Sequence, residues 1–326
     1  MSKPKVGFYW CASCGGCEEA VVDLAEDLVE VTAAVEIVFW PCAMDFKRAD
    51  VERLGDGEIA ATFLNGAIRT EEQEEMARLL RRKSALLVAY GACAQLGGIP
   101  GLANGFSRET MMRFYFEDGP STVNPERVRP APETPAHGAA LELPRLRRVV
   151  RSLDQVVPVD YALPGCPPTP KLTRQAIDAL LSGTLPARGS VLAPDTALCD
   201  ECPRRDSKPT DVAFREFRRP DRTRLEPGVC FLAQGVVCLG PGTRAGCEAP
   251  CVRGNMPCSG CFGPTSRVRD QGAKVLSSLS SNVEPRDEAG IDAVLAGIPD
   301  PVGTFYRYGL AKSLLRRRVD LPNEPE

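Results

Sequence analysis

Ala85-Leu86-Leu87-Val88-Ala89-Tyr90, followed directly by Gly91-Ala92-Cys93, is the stretch that decides the fold. Six apolar residues in a row, without alternation, belong to a strand covered on both faces, as in a parallel sheet layered between helices. What precedes it agrees. Thr70 followed by Glu71, Glu72 and Gln73 starts a helix that runs to about Lys83, its acidic residues at the positive end of the dipole. Residues 58–64 and 34–40 read as two earlier strands, and Lys5 to Trp10 as the first. Between the first two strands, Val21, Leu24, Leu28 and Val31 recur at helical spacing, predicting one helix over about 17–31. Strands alternating with helices give an α/β fold with a right-handed parallel sheet.

Further along, residues 119–145 carry many prolines and read as an excursion over the surface. Strand character resumes from Val156 to Tyr161, and residues 169–183 form a helix with Pro170 near its start and Gly183 at its end. The α/β domain is therefore expected to span 1–185. Residues 186–326 make a second, loop-rich part, with helices expected at about 266–281, 287–297 and 305–318. Arg316-Arg317-Arg318 reads as a charge run at the end of the last one.

The 326 residues suffice for a substantial core, and 43% apolar with 25% charged residues is the composition of a soluble globular protein. A net charge of −3 argues against a nucleic-acid partner, which needs a basic face. No apolar run approaches the roughly 20 residues of a membrane span. Met1-Ser2-Lys3-Pro4 leads straight into a strand, with neither a signal-peptide core nor a twin-arginine pair, so the expected location is the cytoplasm. Disulfides are rare there, and fourteen cysteines read instead as metal ligands. The single histidine, His137, sits near Pro130, Pro132 and Pro135 and reads as solvated. Histidine-containing zinc sites and Ser-His or Cys-His catalysis are thereby left without a histidine.

The cysteines fall into two groups. Four of them follow strands: Cys14 and Cys17 after the first, Cys93 after the buried 85–90 strand, Cys166 after the 156–161 strand. Sites in open parallel sheets form at the carboxyl ends of strands, so these four thiols can converge on one metal centre. Glycines beside them let the backbone approach the sulfurs. The other group is dense: Cys199-x2-Cys202, Cys230, Cys238, Cys247-x3-Cys251 and Cys258-x2-Cys261, set among Gly and Pro. Little apolar periodicity is available there, so something other than a hydrophobic core must order it. Twelve cysteines then make three sets of four, the count for three [4Fe–4S] clusters. Zinc accepts four thiolates as well, but three clusters in one chain make an electron path, whereas three buried zinc ions serve no evident purpose. Cys11 begins a ferredoxin-like Cys11-x2-Cys14-x2-Cys17 run that lacks the expected continuation, so it reads as a strand-end residue. Cys42, after Trp40-Pro41, has no named partner.

In order, Cys14-Gly-Gly-Cys17-Glu, Gly91-Ala-Cys93-Ala, Pro164-Gly-Cys166-Pro-Pro, Cys238-Leu-Gly-Pro-Gly-Thr, Cys247 and Cys258-Ser-Gly-Cys261 resemble the small subunit of [NiFe]-hydrogenases over residues from about 5 to 265. The likeness is nearest to the cytosolic, heterodisulfide-reductase-associated branch, of methyl-viologen-reducing or F420-non-reducing type. It implies a flavodoxin-like N-terminal domain followed by an iron–sulfur domain and C-terminal helices. Further, it implies a proximal cluster on Cys14, Cys17, Cys93 and Cys166. The distal ligands would be Cys199, Cys202, Cys230 and Cys238, and the medial ones Cys247, Cys251, Cys258 and Cys261. Periplasmic members carry histidine at the position of Cys199 and proline at that of Cys251, so the all-cysteine pattern favours three four-iron clusters of lower potential. The nickel–iron centre would belong to a partner large subunit. This chain would relay electrons between it and a downstream subunit of the 2Fe-2S, flavin or heterodisulfide-reductase-like kind. Glu19, at the helix start beside Glu18, is the implied candidate for a proton-relaying carboxylate. A related complex I-like oxidoreductase subunit is the alternative, although that relative normally lacks the eight-cysteine region.

Overall fold

In a computed structural model, which describes residues 3–315, the chain is built on a five-stranded parallel sheet. In chain order the first elements are β1 (Lys5–Trp10), α1 (Gly16–Val22), α2 (Asp27–Ala34), β2 (Glu36–Phe39) and α3 (Arg48–Glu52). Next come β3 (Ile59–Asn65), β4 (Ile68–Thr70), α4 (Glu71–Lys83), β5 (Ser84–Tyr90) and α5 (Ala92–Leu96). The surface excursion holds α6 (Arg108–Arg113), β6 (Glu133–Ala136), β7 (Ala139–Glu142) and β8 (Leu146–Arg151), and then β9 (Tyr161–Leu163) and α7 (Pro170–Ser182) complete this half. The sheet order is β2-β1-β3-β5-β9, with all neighbours parallel. That is the flavodoxin-like winding, whose switch point lies where β1 meets β3.

Both faces of the sheet are covered, as the unbroken apolar run of β5 requires. Phe8, Phe63, Val88 and Tyr90 point to one face and pack with Val21 of α1 and Leu172 and Ala176 of α7. Leu64, Leu87 and Ala89 point to the other and pack with Met76 and Leu80 of α4. Successive strand residues thus feed opposite layers. The α4 start is as read from the sequence: Thr70 accepts from the Gln73 N–H, and Gln73 reaches back to the Thr70 N–H at 3.0 Å. Such a cap contributes about 1 kcal/mol. Likewise Thr169 caps α7, and Gly183 ends it in the left-handed conformation.

Three local expectations are changed. The helix over 17–31 is two helices, because the chain turns at Ala25, whose φ is 52°. Strand 156–161 begins only at Tyr161: a short 3-10 turn, Leu153–Gln155, closed by the Val157 N–H on the Leu153 carbonyl, occupies the preceding residues. Pro158, with no N–H, cannot extend the ladder there. The Pro-rich stretch is a two-stranded ribbon, β6 against β7, whose exposed His137-Gly138 turn has two positive φ angles of 49° and 80°. Beyond what the sequence shows, β4 and β8 form an antiparallel pair that joins this excursion to the main body.

Residues beyond α7 are mostly turns, with α8 (Pro250–Arg253), α9 (Gln271–Ser281), α10 (Glu288–Leu295) and α11 (Pro301–Phe305). Phe214, Leu239, Val275, Leu279, Phe305 and Tyr306 form their small core. The 305–318 expectation resolves into the end of α11 and a 3-10 turn at Leu310–Lys312, while Arg316, Arg317 and Arg318 lie outside the described residues. That last turn folds back on the parallel-sheet half. The Gly98 N–H donates to the Tyr308 carbonyl at 2.9 Å, and Gln155 Nε2 donates to the Ala311 carbonyl at 3.1 Å. Among the described residues no helix is long and apolar enough to cross a membrane.

Candidate metal centres

The carboxyl ends of β1, β5 and β9 bring four thiols together. Cys14 lies in the loop after β1, Cys17 on α1, Cys93 on α5 after β5, and Cys166 after β9. Burial pushes the Cys17 thiol up, and the neighbouring Cys93, Cys166 and Cys14 push it further. Cys93 is pushed up to about 12 by burial and then by Cys166, with the Ile99 N–H pulling the other way. Gly91, at φ +86°, passes so close that a Cβ there would lie 2.5 Å from Cys17 Sγ. Only glycine leaves room for the sulfur.

A second set gathers around the 3-10 turn Leu198–Asp200. Cys199 is pushed up to about 11, first by burial; Lys208 opposes this, while Cys238, Cys202 and Cys230 add to it. Backbone amides support the sulfurs and the loops that carry them. The Arg204 N–H donates to Cys202 Sγ at 3.4 Å, and the Cys230 N–H donates to Ser207 Oγ at 2.8 Å. Arg204, buried, stacks over the Phe231 ring at 4.1 Å and donates to the Val229 carbonyl, locking the loop that bears Cys230.

The third set lines a cavity of about 250 Å³. Cys247, Cys251, Cys258 and Cys261 face it together with Cys166, Pro168 and Phe262. Cys261 is pushed up to about 12 by burial and by Cys247, Cys166 and Cys251, with the Cys166 backbone amide opposing the rise. Cys247 is pushed up to about 11 by burial, against the Ala249 amide, with Glu201 and Cys251 adding to the rise. On the far side, the Cys258 N–H donates to Cys238 Sγ at 3.4 Å. The second and third sets therefore meet at an amide–sulfur contact, and Cys166 of the first set lines the cavity of the third.

All fourteen thiols are free. Among the described residues, no three His, Cys, Asp or Glu side chains close on a single metal ion. Each set gives four sulfurs and, at several of them, backbone N–H donors, while burial resists the ionisation of the more enclosed thiols such as Cys17, Cys93, Cys258 and Cys261. A cationic iron–sulfur core accepts four thiolates, and its positive irons offset that cost, so the donor chemistry fits one.

Two cysteines stay apart. Cys11 is buried among Phe39, Leu64 and Leu87, its N–H on the Asn65 carbonyl. Cys42 is exposed, near Glu18. Cys11→Ser is expected to leave the iron content unchanged while lowering thermal stability by about 1–3 kcal/mol, since a hydroxyl would be buried there. Iron analysis and a melting curve on the same preparation check this; a loss of iron would make Cys11 a ligand.

The two carboxylates of α1 differ. Glu19 is exposed. Glu18 is buried and accepts from Trp40 Nε1 and, at 2.7 Å, from Asn65 Nδ2. Burial raises its carboxyl, and both hydrogen bonds oppose the rise. Glu201, Arg204 and Ser207, which hold the cysteine loops, carry no signal in the sequence. They sit among ordinary polar surface residues, and only the folded loops reveal their partners.

The NADH ubiquinone oxidoreductase, 20 Kd subunit family matches residues 14–180. Over 321 residues the chain is 36% identical to the iron-sulfur subunit of the F420-non-reducing hydrogenase of Archaeoglobus profundus, covering 97% of this chain and 98% of that one. It is 33% identical over 321 residues to the corresponding subunit of the F420-non-reducing hydrogenase of Methanothermobacter thermautotrophicus, covering 97% of each. Among solved structures, the [NiFeSe] hydrogenase of Desulfovibrio vulgaris Hildenborough is similar in fold, with a TM-score of 0.52 at 18% identity over 81% of this chain and 94% of that one.

Proposed function

The chain belongs to the family of F420-non-reducing hydrogenase iron-sulfur subunits, and from that membership we propose that it is the electron-relaying small subunit of a cytoplasmic [NiFe]-hydrogenase. In this reading residues 1–185 carry the proximal cluster, and residues 186–326 carry the medial and distal clusters. Each would be a [4Fe–4S] cluster, on the three cysteine sets described above. When bound, the clusters supply three one-electron stations. The chain's own residues hold them apart at fixed spacing, exclude water from Cys17, Cys93 and Cys258, and aim amides at the sulfurs. The carrying observation is the adjacency of the sets: Cys166 of the first lines the cavity of the third, and the Cys258 amide donates to the Cys238 sulfur of the second. Electrons would enter at the sheet end from a large subunit bearing the nickel–iron site. They would leave at the Cys199 end to a 2Fe-2S, flavin or heterodisulfide-reductase-like subunit. Glu19, exposed two residues beyond Cys17, is the carboxylate offered to a proton path at the entry surface.

The complex I-like alternative draws on the match over residues 14–180, but that match stops before the eight-cysteine region, whereas the hydrogenase relatives cover it. Iron, sulfide and nickel analysis of the complex purified from its native host tests the reading, with spectra before and after H2. About twelve irons in this chain, nickel in a partner and bleaching under H2 are the expected result. Twelve irons without nickel or an H2 response would favour the complex I-like role, and zinc without iron would overturn both.

A further inference from the structure

Glu201 lies between Cys199 and Cys202, yet its side chain serves the neighbouring loop. Its Oε1 accepts the backbone N–H of Gly246 at 3.0 Å and of Glu248 at 3.0 Å, and it lies 3.8 Å from Cys247 Sγ. The loop it grips is costly to hold. Gly246 has φ +109°, and the next residues after Cys247, Glu248 and Ala249, have φ 61° and 53°. Consecutive non-glycine residues in the left-handed region cost about 1–2 kcal/mol each, so the bend persists only because its surroundings fix it. The same two segments are also zipped together by their backbones. Leu198 N–H donates to the Thr243 carbonyl at 2.7 Å, and Ala245 N–H to the Thr196 carbonyl at 2.9 Å. Glu201 is the side-chain extension of that zip.

Two electrostatic effects follow. The carboxylate stands beside one sulfur of the Cys247 set, where an added electron would meet a like charge. It also takes up two amide protons that could otherwise turn toward sulfur, and amide donors to sulfur raise a cluster's potential. Both effects act in the same direction.

We propose that Glu201 is a positioning residue that clamps the Cys247 loop across the seam between the two C-terminal cysteine sets and holds the reduction potential of the Cys247 centre down. The inference rests on the cluster reading above. Glu201→Gln keeps an oxygen for the two N–H groups and removes the charge. In the co-purified complex, an EPR-monitored redox titration should show one of three signals shifted positive. At a fixed potential its reduced-to-oxidised ratio should rise about tenfold, about 59 mV for one electron. The iron content should be unchanged. Cys251→Ser identifies which signal belongs to this set, and Glu201→Asp, which keeps the charge, should return the signal toward its original potential. An unshifted signal in a fully loaded Glu201→Gln complex overturns the proposal. So does equal loss of four irons from Glu201→Gln and Glu201→Asp, which would leave only a structural role. If Cys251→Ser removes no signal and no iron, the cluster reading itself fails.

Discussion

A complex carrying Cys93→Ser in this chain is expected to lose H2-dependent viologen reduction by at least about 100-fold, the upper range for removing even outer-shell support of a metal site. Cys93 is buried, and Cys166 and Cys14 of its set stand near enough to raise its thiol, with the Ile99 amide pulling the other way. A hydroxyl there is a poor iron ligand, and no other thiol can substitute: Cys11 is held in the opposite layer of the core and Cys42 is at the surface. Dye reduction per nickel, measured beside iron content, checks the expectation. Wild-type turnover in that variant would remove Cys93 from the relay.

The second large effect is expected from a residue with no functional group. Gly91 has φ +86° and ψ 165°, a region essentially closed to residues with a Cβ, costing of order 1–3 kcal/mol. Its added methyl would lie 2.5 Å from Cys17 Sγ. That sulfur cannot retreat, because Cys17 is packed in the core with Val21 and Tyr90. Gly91→Ala should therefore lose about four irons, one cluster's complement, and melt earlier than the unmodified complex. Iron analysis of the purified variant with a thermal melt reads both effects, and a fully loaded variant with unchanged melting would contradict the geometry.

Much of this was legible in the residues. The apolar run at 85–90 announced a strand buried on both faces, and the order of strands and helices around it announced the parallel sheet. Cysteines following three such strands could then be expected at one end of the sheet, which is where the structure brings Cys14, Cys17, Cys93 and Cys166. Helix ends carry chemical signals in the sequence: Thr70 with Gln73 at the start of α4, and Pro170 and Gly183 at the two ends of α7.

What escaped has a common cause. The break at Ala25 is a conformation that alanine does not advertise, and apolar spacing continues through it. The β6–β7 ribbon is hidden by prolines, which an isolated two-stranded edge tolerates because their missing N–H groups can face outward. Glu201 is invisible because its meaning depends on a loop 45 residues away. Local chemistry is written locally, while long-range partnership is not.

The return of the chain onto the parallel-sheet half also makes the first cysteine set depend on a distant segment. The Gly97-Gly98 turn that follows Cys93 is pinned by Tyr308 and packed against Ala311. Those residues lie more than 200 positions further along the chain. The sheet is held by contacts among its own strands, but the turn after Cys93 gains its outer wall only where that distant segment docks. Loosening the docking would therefore be felt beside Cys93 before it was felt in the sheet.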